Sequence, residues 1–206
     1  MMQTTIDRIA ETDEELMARF QNGDSAAMEE LFARFQKPLF NFFYRMVGRR
    51  ETAEDLVQET FLKLCRFGNT FRGSEAKFTT WLYSVAGNQC RDYLRHSARR
   101  PETPFENIED SHSDDNMDIG PLVQDSPVED HVMRVELRAT LEAAINTLPE
   151  KERLAIILRE YQGLEYKEVA QTLGCPIGSV KVLIFRARRR LRDQLKDEIY
   201  DTGSKG

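Results

Sequence analysis

Paired cysteines, long apolar runs, glycine-rich loops and strand-like alternation are all scarce in this chain of 206 residues, and each scarcity excludes something. No apolar run approaches the roughly 18 residues that a membrane-spanning helix needs. Met1-Met2-Gln3 does not open a secretion signal, so no membrane insertion and a cytoplasmic location are expected. Cys65, Cys90 and Cys175 are odd in number, far apart and without CxxC spacing, which argues against a disulfide framework or a zinc site. His96, His112 and His131 share no spacing suited to a metal or a catalytic triad. No phosphate-binding glycine loop is present. No metal, no cofactor and no catalytic residue are therefore expected.

Charge is present in quantity, and its distribution matters more than its sum. The formal net charge of -6 argues at first against a nucleic-acid partner. Residues 1–100 carry a net +1, residues 101–133 a net -10 and residues 134–206 a net +3. All of the net negative charge belongs to the middle segment, where Pro101, Pro104, Pro121 and Pro127 punctuate a stretch with few apolar residues. Such a composition buries too little surface to offset its ordering entropy, so 101–133 reads as a flexible linker.

On either side the pattern is helical. Asp13 is the expected N-cap of a short helix ending near Gly23. From Ser25 to Met46, Met28, Leu31, Phe32, Phe35, Leu39, Phe42, Phe43 and Met46 recur at spacings of three and four. Pro38 should kink or break that helix, and Gly48 should end it. A third helix, about Thr52 to Phe67, buries Leu56, Val57, Thr60, Phe61 and Leu64. A loop spans Phe71 to Lys77, and a fourth helix runs from Phe78 to about His96. Beyond the linker, Leu137, Leu141, Ala144 and Ile145 form one stripe, and Leu154, Ile157, Leu158 and Tyr161 another, opened by Pro149 and closed by Gly163. Two further helices, about Tyr166–Leu173 and Ile177–Leu195, flank Gly174-Cys175-Pro176. The expected fold is all-α, with two small helical domains (13–100 and 134–196) joined by the acidic linker.

The last two helices have the helix-turn-helix layout. On a wheel of 100° per residue, Val180, Ile184, Ala187 and Leu191 share the core sector. The opposite sector holds Gly178, Val182, Phe185, Arg186 and Arg189, flanked by Ser179, Lys181 and Arg192. Between Lys181 and Lys196 there are seven basic residues and one acid, Asp193. A basic face behind a glycine turn suits the DNA major groove, with cations for phosphates and guanine edges.

A second constellation mixes aromatic and basic residues around the 71–77 loop: Phe71, Arg72, Lys77, Phe78, Trp81 and Tyr83, then Asn88, Arg91, Arg95, Arg99 and Arg100. Exposed aromatics and cations can hold unstacked bases of a single strand. Aromatics at helical spacing also build cores, and Trp81 fits either use.

Five segments then resemble one family in order. They are Asp55-Leu56-Val57-Gln58-Glu59-Thr60-Phe61-Leu62-Lys63-Leu64, Phe78-Thr79-Thr80-Trp81-Leu82-Tyr83-Ser84-Val85-Ala86-Gly87-Asn88, Leu148-Pro149-Glu150-Lys151-Glu152-Arg153, Gly178-Ser179-Val180-Lys181 and Phe185-Arg186-Ala187-Arg188. They look like the extracytoplasmic-function (ECF) sigma factors of bacterial RNA polymerase. The resemblance implies a non-catalytic subunit that directs core polymerase to promoters and helps open the duplex. Asp55, Gln58, Glu59 and Lys63 would dock on core enzyme. Phe71, Arg72, Gly73, Ser74, Lys77, Phe78, Thr80, Trp81, Tyr83, Asn88, Arg91 and Arg95 would bind the single-stranded non-template −10 element. Ser179, Lys181, Val182, Phe185, Arg186, Arg188 and Arg189 would read the duplex −35 element. The linker would follow the polymerase's RNA path, and an anti-sigma factor is an expected partner.

Two positions depart from the family. Val182 and Leu183 stand where a small polar residue and an arginine are frequent, which shifts the expected −35 preference towards thymine-containing steps or weakens that contact. Glu165 replaces a usual capping Ser or Thr. An autonomous helix-turn-helix regulator is the competing reading, and a nucleic-acid-processing enzyme lacks the clustered acids it would need.

Overall fold

The computed structural model describes residues 11–99 and 128–202, and among these the structure is helical with no strand. Helices α1 (Asp13–Gln21), α2 (Ser25–Val47), α3 (Arg50–Phe67) and α4 (Phe78–Arg99) form the first bundle. Helices α5 (Val128–Thr147), α6 (Glu150–Ile156), α7 (Tyr166–Leu173) and α8 (Ile177–Thr202) form the second. A single π turn, Ile157–Tyr161, continues α6.

The start of α1 corrects the expected cap. Thr12, not Asp13, is the N-cap, and Thr12 and Glu15 form a reciprocal capping box that satisfies two helix-end donors. Helix α2 passes through Pro38 unbroken and ends at Gly48, whose φ of 73° only glycine adopts without strain. Burial of Phe35, Leu39, Phe42 and Phe43 on both sides of the proline holds the helix together across the missing donor. Phe32 is half out of the core, its ring 4.7 Å from that of Phe61. Leu137, expected in the α5 stripe, is exposed, while Leu141, Ala144 and Ile145 pack inward.

Helix α5 begins at Val128, inside the stretch read as linker; the rest of 101–133 lies outside the described residues. Helix α4 is buried on two sides. Phe78 and Tyr83 pack on Phe35 and Phe42 of α2, while Gly87 lies against Leu154 of α6 and Thr172 of α7, and the Tyr83 hydroxyl reaches Gln162. Arg153 bridges the bundles from α6, its Nη1 donating to the Met46 carbonyl at 2.7 Å. The Arg45 guanidinium lies 4.2 Å over the Tyr161 ring. The two bundles therefore share one continuous apolar core in this structure.

Candidate nucleic-acid interface

The helix-turn-helix is built as its pattern predicts. Gly174 takes φ 62° to end α7, and Ser179 N–H and Val180 N–H bond to the Pro176 carbonyl to start α8. Val180, Ile184, Ala187 and Leu191 are buried. Ser179, Lys181, Val182, Phe185, Arg186, Arg188 and Arg189 all lie outside, with Val182 47% and Phe185 68% exposed. Arg188 pairs with Glu160 at 2.6 Å, which raises its pKa and steadies it beside the π turn. Arg190 Nε lies 3.0 Å from the buried Glu152 carboxylate, an ion pair without hydrogen-bond alignment. Glu165 opens α7 without a short hydroxyl cap; its own N–H bonds to Glu168 Oε2 at 2.7 Å.

The loop before α4 divides the expected strand-binding residues in two. Phe71 is 4% exposed, its ring 5.8 Å from Phe78 and 5.6 Å from Trp81. Phe78 is fully buried, and Tyr83 is buried with its hydroxyl donating to Gln162. These three rings cannot stack on a base in this arrangement, because the α1–α4 core and the second bundle already cover them. Thr80 is buried as well. Trp81 is half-buried, its ring 5.6 Å from Phe71 and 6.2 Å from Phe78, so it packs on the core without being enclosed by it. Arg72, Gly73, Ser74 and Lys77 are exposed on the loop, and Asn88 and Arg95 on the helix. Arg91 is half-buried and donates to the Asn88 side chain.

The loop is anchored from a distance. Gln21 Nε2 donates to the carbonyls of Gly68 and Phe71 at 2.9 and 3.1 Å. Glu14 accepts the Phe78 N–H at 2.7 Å, capping α4 from α1. Neither residue is visible as functional in the sequence.

On α3, Asp55, Gln58 and Glu59 are exposed and Lys63 is half-buried. Glu59 holds Lys63 at 2.9 Å in an i, i+4 pair, and that bond lowers the Glu59 pKa. Leu62, 57% exposed, sits between them on the same stripe. The spacing Asp55, Gln58, Leu62 places it on that face.

Between α4 and α8 a crevice of about 470 Å³ is lined by Arg91, Lys151, Arg186, Val182, Leu183 and Cys175, among others. Among the described residues, no three His, Cys, Asp or Glu side chains converge as a metal site would require, and no helix is long and apolar enough to cross a membrane.

These features coincide with two family models. Residues 31–100 match Sigma-70 region 2, and residues 138–191 match Sigma-70, region 4. The chain is 38% identical over 188 residues to the ECF RNA polymerase sigma-E factor of Haemophilus influenzae, covering 90% of this chain and 96% of that one. To the Escherichia coli sigma-E factor it is 37% identical over 185 residues, covering 90% and 95%. Among solved structures, CnrH in complex with the cytosolic domain of CnrY shares the fold, with a TM-score of 0.66, 23% identity and coverage of 91% and 99%. RpoE of Bartonella quintana, solved with the anti-sigma factor NepR, gives a TM-score of 0.60 at 26% identity, covering 82% and 96%. With residues 31–100 and 138–191 matching the two family models in order, and a relative 38% identical over 90% of the chain, the chain belongs to the extracytoplasmic-function family of RNA polymerase sigma factors.

Proposed function

We propose that three surfaces divide the work of this sigma factor. The exposed stripe of α3, Asp55, Gln58 and Glu59 around Leu62, docks on core polymerase. The rim formed by Arg72, Gly73, Ser74 and Lys77, with Asn88, Arg91 and Arg95 along α4, holds the unpaired non-template strand at −10. The outer face of α8, from Ser179 to Arg189, enters the major groove at −35. The corresponding domains are 13–100 and, because α5 already begins at Val128, 128–196, with the acidic residues between them as the tether.

The observation that carries the reading is the two-faced α8: four buried aliphatic positions behind a glycine turn, and an opposite face of cations with Val182 and Phe185. Phe185 and Val182 offer apolar contact to thymine methyl groups, while Arg186 and Arg189 reach phosphates or guanine edges. The protein acts without bond chemistry. Duplex opening draws on binding energy for unpaired bases, each aromatic stack contributing about 1–3 kcal/mol. With Phe71, Phe78 and Tyr83 covered, Trp81 is the ring in reach for that purpose. An anti-sigma factor is the expected regulator, because the related RpoE was solved with one. Action inside the cytoplasm, where core polymerase resides, follows from the same reading.

Transcription from a promoter library with purified core polymerase tests it. Addition of this protein should yield a discrete set of start sites, and Arg186→Ala should weaken them selectively. Random initiation, the same with and without the protein, would overturn the assignment.

A further inference from the structure

Helix α1 grips the loop that precedes α4 at both of its ends. Gln21 Nε2 donates to the Gly68 carbonyl at 2.9 Å and to the Phe71 carbonyl at 3.1 Å, where the loop begins. Where it ends, the Phe78 N–H donates to Glu14 Oε1 at 2.7 Å. Between these points α1 lies directly on the chain. A methyl at Gly68 would stand 2.5 Å from Met17 Cε and 3.3 Å from the Phe20 ring, closer than a side chain tolerates. Glu14, Met17 and Gln21 are three and four residues apart, so they share one face of the helix. Seven residues of α-helix rise by about 10 Å, which makes α1 a spacer of fixed length between the two anchor points.

The helix is itself held from α2. Arg34 Nη1 donates to the Glu11 carbonyl at 2.8 Å and to Asp13 Oδ1 at 3.0 Å, and Leu16 and Met17 are buried. Within the loop the bonds are local. The Glu75 and Ala76 N–H groups turn back to the Arg72 carbonyl at 2.9 and 3.4 Å, and Arg72 Nη1 reaches the Asn69 and Phe71 carbonyls. Lys77 Nζ pairs with Glu168 at 2.9 Å through an exposed side chain, which leaves the backbone unfixed. Such bonds shape the turn. Its place on the bundle comes from Phe71 in the core and from α1.

A loop selects a base by holding its polar groups where a wrong base leaves them unpaired, and a loop free to adjust re-pairs and loses that selectivity. We propose that Gln21 and Glu14 are positioning residues for −10 selectivity, acting through the loop by fixing where Arg72, Gly73 and Ser74 stand. This rests on the reading of that rim as the −10 strand-binding surface.

Abortive initiation by the holoenzyme tests it, on a promoter that this protein selects and on copies changed at one −10 or one −35 base pair. Gln21 is exposed, so its replacement leaves the core intact. Gln21→Met keeps the length and removes both donors. Discrimination at −10 should fall by roughly three- to tenfold, while discrimination at −35 and affinity for core polymerase stay within about twofold. Gln21→Lys returns a donor to the same place and should restore about half of the loss or more. Amide exchange over 72–77 should quicken in Gln21→Met, with α2 and α3 as protected as before. Unchanged −10 discrimination in Gln21→Met, or an equal fall at −10 and −35, would overturn the inference. Arg72→Ala separates it from the reading beneath. If Arg72→Ala erodes −10 discrimination and Gln21→Met does not, the positioning role alone fails; if neither does, the assignment of the rim fails with it.

Discussion

Replacing Arg153 by alanine removes a clasp whose cost can be worked from its partners. Nη1 donates to the Met46 carbonyl at 2.7 Å, and Nη2 to the carbonyls of Leu148 at 3.1 Å and Asn146. A hydrogen bond from a charged group is worth about 1.5–3 kcal/mol, so three give roughly 4.5–9 kcal/mol in gross terms. Two effects reduce that. The side chain is half-buried, so water replaces part of what is lost, and burial disfavours the guanidinium, lowering its pKa. A net loss of about 2–4 kcal/mol remains, which at a urea slope near 2 kcal/mol/M moves the midpoint down by about 1–2 M. Trp81 is the sole tryptophan and reports the first bundle, while far-ultraviolet circular dichroism reports every helix. Because the Met46 bond joins the bundles, the two probes should also cease to coincide in the variant. Arg153→Lys keeps the charge but not the fork, and should recover less than half of the loss. A midpoint shift below about 0.3 M, with both probes coincident, would refute this account of Arg153.

Other outcomes follow from single contacts. Glu14→Ala leaves the Phe78 N–H without its acceptor and should destabilise the protein by about 1 kcal/mol, read as a lower Tm in circular dichroism. Burial pushes the Tyr83 phenol up from its ordinary 10.0, so the unfolded chain ionises first and stability should fall as pH rises above 10.0; Tyr83→Phe should flatten that slope in urea titrations. Cys65 is exposed and Cys90 buried with its thiol pushed up, so a thiol reagent should modify Cys65 rapidly and Cys90 only on unfolding. Leu183→Arg should change −35 binding by holoenzyme by about 1–3 kcal/mol, and identical promoter preference would remove Leu183 from the specificity account.

The helices were legible because their information is local. Periodicity located the buried stripes of α2, α3 and α8, and glycine marked the ends of α2 and α7. What sequence could not show is contact across the chain. Phe71 and Tyr83 have the composition of a base-stacking platform, yet their burial depends on Phe78, Trp81 and a second bundle nearly eighty positions further on. Glu168 reads as an ordinary first-turn acid, and Glu14 as a surface charge. Only the tertiary arrangement turns one into a partner of Lys77 and the other into a cap for α4. Arg153 closes the Leu148–Arg153 motif, but its reach to Met46 has no local signature.

Promoter binding with and without core enzyme tests the central claim most directly. In a gel-shift series on a mapped promoter, the protein alone should show weak duplex binding without sequence preference. The same protein with core polymerase should bind that promoter specifically and open it. Tight, specific and two-fold symmetric binding of the duplex by the protein alone, unaffected by core enzyme, would contradict the account.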